Sequence, residues 1–208
     1  MNEDESITRD TRNTGGTDTA SGNGNVGETG IASGIGTPGE TGNAGNIGST
    51  THKKICFASS SGGHFEQLMC LKEALMKKYP SFVVTEETSG TKNTTAVSDI
   101  DMYYLEIINR KERDFPKILV ENTRRSWRIL KKERPPIIIT TGVLSVIPLC
   151  LMGKFLYGAK LIYIESFAKT DTPTLTGRLM YRIADKFMVQ WESMLKVYPK
   201  AVYKGGVF

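Results

Sequence analysis

Residues 1–52 contain no aromatic residue, no Leu and only one Val, Val26, against abundant Gly, Thr, Asn and Ser. A stretch this poor in apolar side chains cannot bury enough surface to offset the entropy of ordering it. It therefore reads as a disordered tail. Gly24, Gly27, Gly30, Gly36, Gly39, Gly42, Gly45 and Gly48 recur every third residue, with Ser33 at the one missed position, which is a collagen-like register. Only Pro38 supplies the stiffness a triple helix needs, so the tail is read as a flexible linker.

Other absences narrow the function. The three cysteines, Cys56, Cys70 and Cys150, sit in apolar runs without metal-ligand spacing, so buried free thiols and no metal site are expected. The Gly-rich loop that follows the first predicted strand, residues 59–64, lacks the full G-x-G-x-x-G spacing, which disfavours a nicotinamide or flavin dinucleotide. Helix-turn-helix, zinc and RNP signatures are missing and the aromatic residues follow apolar patterns, so no nucleic-acid partner is expected. The N-terminus is acidic and polar, so neither a secretory signal nor an N-terminal anchor is expected. Residues 135–153 carry no charge, but Pro135, Pro136, Gly142 and Pro148 interrupt the run and argue against a spanning helix.

What is present is a basic segment, residues 53–208, long enough to bury a core. The tail has seven acids and two bases, net −5, which leaves 25 bases and 15 acids, net +10, for the remainder. Such a domain favours polyanions, anionic headgroups or phosphate-bearing substrates. Its apolar spacing predicts strands over 53–58, 82–86, 102–107, 137–140, 161–165 and 187–190. Helices are predicted over 65–79, 114–134, 146–157 and 174–185, with Phe115, Leu119, Trp127 and Leu130 on the apolar face of the second. Strands alternating with helices imply an α/β fold, a Rossmann-like parallel sheet with right-handed crossovers. Ligands then bind beyond the carboxyl ends of the strands.

Three loops lie at that edge. In the first, Ser59-Ser60-Ser61-Gly62-Gly63-His64, two glycines allow close backbone approach and a helix N-terminus faces an anion. His64 there is either a general base for an acceptor hydroxyl or a residue that stabilises the turn. The second loop, Thr140 to Ser145, offers hydroxyls, Gly142 and another helix N-terminus; Ser145 lines a pyrophosphate site, caps the following helix, or both. The third begins with Glu165-Ser166-Phe167. A carboxylate at a strand tip is placed to bind sugar hydroxyls or orient a base, or to bond its own loop. The helix over 146–158 is apolar around its circumference, and that over 114–134 carries seven basic residues. The first fits burial or contact with lipid, the second a solvated face or anionic headgroups.

The segments SSSGGHFEQL, TTGVLSVIPLCLMGKFLYGAKLIYIESFAK, TPTLTGRLMYRIADKFMVQWE and YPKAVYKGG resemble the bacterial capsular and exopolysaccharide glycosyltransferase subunits. These are homologous to the membrane-recruiting subunit of the dolichol-pathway UDP-N-acetylglucosamine transferase. The resemblance spans nearly all of 53–208 and none of the tail. It implies a single GT-B-type N-terminal domain, similar to that of MurG in its Gly-rich His loop and in a Glu ending the fifth strand. It carries over His64 and Glu165 as catalytic candidates, with Ser61, Gly62, Gly63, Thr141, Gly142, Ser145 and Ser166 binding the substrate.

The chain ends near Phe208, before any second Rossmann domain, so a separate donor-binding subunit is expected, with Trp191–Phe208 as its docking surface. The implied reaction moves a sugar from a UDP-sugar to a polyprenyl-diphosphate-linked saccharide. It would take place at the cytoplasmic face of the membrane, with the chain bound peripherally and the UDP-sugar as substrate rather than cofactor. A non-catalytic scaffold that recruits and activates a separate transferase is the rival reading.

Overall fold

A computed structural model describes residues 53–95, 98–142 and 144–207. The tail, with its Gly-X-Y register, lies outside the described residues. Seven strands form one sheet: β1 (Ile55–Ser59), β2 (Ser81–Glu86), β3 (Asp101–Leu105), β4 (Ile137–Gly142), β5 (Lys160–Ile164), β6 (Lys186–Val189) and β7 (Val202–Tyr203). Their order is β3-β2-β1-β4-β5-β6-β7 and every pairing is parallel. The helices are α1 (Gly63–Met69), α2 (Ser89–Lys92), α3 (Phe115–Glu133), α4 (Ile147–Tyr157) and α5 (Leu175–Ile183).

The central strands are apolar on both faces because both faces are covered. Cys56, Ala58, Phe82, Val84, Ile138, Leu161 and Tyr163 join Leu130, Leu149 and Met180 in one core. Phe57, Val83, Ile139 and Ile164 join Phe65, Leu68 and Met76 in the other. α4 lies close on β4 because Gly153 has no side chain; a Cβ there would sit 2.2 Å from Ile138 Cδ1. α3 ends where Arg134 turns left-handed at φ 43°, ahead of Pro135, whose ring disfavours helical backbone in the residue before it.

Several sequence expectations change. The helix over 65–79 divides into α1 and a separate π-helical turn, Lys72–Met76, in which the Lys77 N–H donates to the Lys72 carbonyl at 3.0 Å. Apolar spacing over so few residues does not separate a 3.6-residue period from a wider turn. Trp127 does not face the core and is 46% exposed; the buried stripe of α3 runs through Asn122, Ser126, Ile129 and Leu130. Its two polar members are invisible to a count of apolar positions. Cys56 and Cys150 are buried free thiols, but Cys70 is exposed, its thiol donating to the Glu66 carbonyl.

Candidate functional site

The strand order reverses between β1 and β4: the chain leaves β1 toward β2 and leaves β4 toward β5. A crevice opens at such a reversal, between loops that diverge from neighbouring strands. The loops after β1 and β4 flank it. Ala58 pairs with Thr140 and Ser59 with Gly142, so Thr141 is the extra residue of a β-bulge. Bulges re-aim side chains. The Thr141 hydroxyl donates to the His64 carbonyl at 3.0 Å, tying the first turn of α1 to the tip of β4. Gly142 closes that tip at φ 95°, where a Cβ would press on the Tyr163 hydroxyl at 2.7 Å.

Across the loop, the Ser61 N–H and hydroxyl both donate to Glu86 Oε2, each at 3.1 Å. Glu86 is buried at the end of β2 and anchors the loop from below. Gly62 takes φ 70°, ψ −143°, a backbone reserved for glycine, and nothing lies within 4 Å of a Cβ built on Gly62 or Gly63. The outer side of this turn is open space, so a ligand can approach the backbone there.

His64 sits half-buried at the start of α1, its Nδ1 shielded from solvent and without a hydrogen-bond partner. Burial pushes the imidazole below its ordinary pKa of 6.5, while the Glu165 and Glu86 carboxylates and a backbone contact with Thr141 work the other way. A largely neutral imidazole near pH 7 is one able to accept a proton.

Glu165, 1% exposed, follows β5 and points into the protein. Its Oε1 accepts from the Tyr163 hydroxyl at 3.3 Å, the Ser166 N–H at 3.0 Å and the Thr174 hydroxyl at 3.1 Å. Its Oε2 accepts from the Tyr198 hydroxyl at 3.0 Å. Burial first, and then this carboxylate, push both tyrosines up, so both remain protonated donors. Ser166 belongs to the same knot through its backbone. Ser145 lies fully buried in a 3₁₀ turn, Leu144–Val146, with its hydroxyl unpartnered. It does not cap α4: the residue preceding that helix is Val146 and no side chain bonds its first turn.

Ser61, Gly62, Gly63, His64, Thr141 and Gly142 are thus gathered at one crevice, while Glu165 stands behind it and Ser145 beneath the surface. Among the described residues, no group of three His, Cys, Asp or Glu is placed to hold a metal ion. Sequence reasoning missed Glu86, although the logic applied to Glu165, a carboxylate ending a strand, fits it equally. It also missed Gln67 and Gln190, which carry no signal of their own.

The family model for Alg14-like oligosaccharide biosynthesis proteins matches residues 55–207. The chain belongs to the Alg14-like family. Among its Alg14 relatives, the human UDP-N-acetylglucosamine transferase subunit is 25% identical over 177 residues, covering 74% of this chain and 82% of that protein. The Schizosaccharomyces pombe subunit is 26% identical over 167 residues, covering 70% and 79%. The homology to a UDP-N-acetylglucosamine transferase subunit inferred from the His loop and the 137–206 segments is borne out at this level.

Solved structures with the same fold include Acinetobacter baumannii MurG, at TM-score 0.54 and 15% identity over 65% of this chain. Staphylococcus aureus MnaA with UDP superposes at TM-score 0.58 and 13% identity over 74% of this chain. The Alg14-like chain spans 41% and 45% of those two proteins, and the likeness at such identities is one of fold. The architecture is a GT-B-type Rossmann-like layer.

Proposed function

We propose that this chain is the acceptor-binding, membrane-associating subunit of a two-chain glycosyltransferase. The enzyme moves a sugar, N-acetylglucosamine in the first instance, from its UDP conjugate to a polyprenyl-diphosphate-linked saccharide. The observation that carries the reading is the crevice between β1 and β4, where an open Gly62-Gly63 turn, Thr141 and a neutral, half-buried His64 meet. The acceptor hydroxyl oxygen attacks the anomeric carbon, the bond to UDP breaks with its electron pair leaving on UDP, and His64 takes the hydroxyl proton. UDP-sugar is a substrate held mainly by the partner chain, and no cofactor enters.

Two features support the remaining parts. The matched relatives are each a transferase subunit, which motivates a separate donor-binding chain. Half-exposed Trp191 and the edge strand β7, with Val202 and Tyr203 at its surface, offer that chain a docking face within 191–208. Membrane contact falls to α4, whose Phe155 and Leu156 are exposed, and to basic α3, at the cytoplasmic face. The saccharide would belong to lipid-linked oligosaccharide synthesis, with capsular or exopolysaccharide assembly as the narrower possibility raised by the sequence segments.

A second reading, a non-catalytic scaffold that recruits and activates a transferase, is favoured by one observation: the Glu165 carboxylate is occupied entirely by internal donors. Reconstitution tests the two-chain assembly that both readings share, and the His64 variants in the assembled complex separate them. The full chain alone should neither transfer sugar nor hold UDP-sugar, and adding the co-purifying donor-binding chain should restore transfer. A donor-binding chain fully active on the lipid-linked acceptor without this subunit would sink the acceptor-site reading.

A further inference from the structure

Two buried glutamines meet on one carbonyl. Gln67, three residues beyond His64 on α1, donates from Nε2 to the Glu165 carbonyl at 3.2 Å and accepts at Oε1 from the Phe167 N–H at 3.2 Å. Gln190, just past β6, donates to the same carbonyl at 2.8 Å and accepts from the Val207 N–H at 2.9 Å. They are 2% and 4% exposed. Turning either amide over would set its oxygen against a carbonyl and its NH₂ against an N–H, so the network fixes both orientations. The carbonyl's two lone pairs are both used.

Glu165 is itself immobilised, its N–H donating to the Met188 carbonyl at 2.9 Å and its carboxylate held by the donors described above. A continuous buried path therefore runs from α1, through the Glu165 carbonyl and Gln190, to residue 207. Methionine would occupy about the same space at either glutamine without burying polar atoms that must all be satisfied. Removing one partner in such a path leaves the others unpaired in a low-dielectric interior, so its members respond together. Nothing in the catalytic reading uses these glutamines.

We propose that Gln67 and Gln190 are positioning residues that, through the Glu165 carbonyl, couple the placement of the His64 imidazole to the chain's last segment, residues 198–207. Whatever seats on that segment is then sensed at the acceptor crevice. The functional value of the coupling rests on His64 being the acceptor-side base, but the coupling itself does not.

The test uses the full chain and a readout other than turnover. The sequence has only two histidines, His52 and His64, so a spectrum of His64→Asn assigns the His64 imidazole resonances by their loss. Gln190→Met, and separately deletion of residues 207–208, should shift those resonances and raise the His64 pKa toward its ordinary value as α1 loosens and water reaches the ring. The groups that also act on the ring, Glu165, Glu86 and Thr141, are unchanged in both variants. Gln67→Met combined with Gln190→Met should shift the resonances no further than the larger single change, because both act on one path. In the assembled transferase, Gln190→Met should lower kcat by about 10–100-fold with KM little changed, as a misplaced base does. The deletion leaves the Gln190 side chain in place and removes its Val207 N–H donor and the packing of Val207 on the second core, a smaller change than Gln190→Met, so it answers even if Gln190→Met fails to fold. Unchanged His64 resonances and titration in the cooperatively folded deletion variant would overturn the coupling, whether or not His64 proves catalytic.

Discussion

Gly177 and Glu165 are packed so closely that a Cβ on the glycine would stand 2.0 Å from Glu165 Oε2. The same Cβ would meet the Thr174 and Tyr198 hydroxyls, each at 2.7 Å. Gly177 lies in the first turn of α5 because Thr174 caps that helix, its hydroxyl accepting from the Gly177 N–H at 2.7 Å. The absent side chain leaves room for the carboxylate cage.

That arrangement reverses an ordinary rule. Alanine in a helix is favoured over glycine by about 1 kcal/mol. Here Gly177→Ala should destabilise the domain by about 1–3 kcal/mol, since the cage has no space to yield. Chemical denaturation midpoints decide the sign. A variant as stable as the parent or more so would show that Glu165 is not held as described.

His64 gives a pH signature. Its folded pKa lies below the ordinary 6.5, chiefly through burial, so the unfolded chain takes up the proton first as pH falls. The contribution to stability is complete above about pH 7.5 and is lost as pH drops through 6.5 toward the lowered folded value. Urea unfolding at pH 7.5 and 5.5 should show a greater loss for the parent than for His64→Asn. Equal losses would contradict a histidine buried in its neutral form.

The membrane reading turns on surface chemistry. Phe155 and Leu156 are 64% and 69% exposed at the end of α4, and α3 presents Trp127 with Lys131 Nζ 5.2 Å from its ring centroid. Among the described residues no helix is long and apolar enough to cross a membrane. The chain should co-sediment with anionic vesicles, less so as salt rises, because exposed charges are screened. Phe155→Ser with Leu156→Ser should weaken that binding further. Retention through a carbonate wash would point instead to an embedded segment.

The sheet was legible because each buried strand ends its apolar run in a small or polar residue: Ser59, Thr141, Glu165. The three loops at the carboxyl edge followed directly. Orientation did not follow. Glu165 was placed correctly at a strand tip, yet only packing shows its carboxylate turned inward toward Tyr163, Thr174 and Tyr198. Asn122 carries no apolar signal; it is buried because its amide closes on both backbone groups of Glu106, at 2.8 Å each. β7 escaped notice because two residues carry no periodicity, and only pairing with β6 makes Val202–Tyr203 a strand. Gln67 and Gln190 stand 98 and 25 residues from their shared acceptor, a meeting that local pattern cannot reveal.

The acceptor-side assignment turns most directly on single-turnover sugar transfer by the complex of this chain with its donor-binding partner, comparing the parent with His64→Asn and His64→Ala. Asparagine tolerates the turn and forms hydrogen bonds but cannot take a proton near neutral pH. Both variants should lose about 10²–10⁴-fold in rate, the range for removing a positioned general base, while still pulling down the partner. Near-parental transfer by His64→Asn would contradict the account and leave His64 as a residue that shapes its turn.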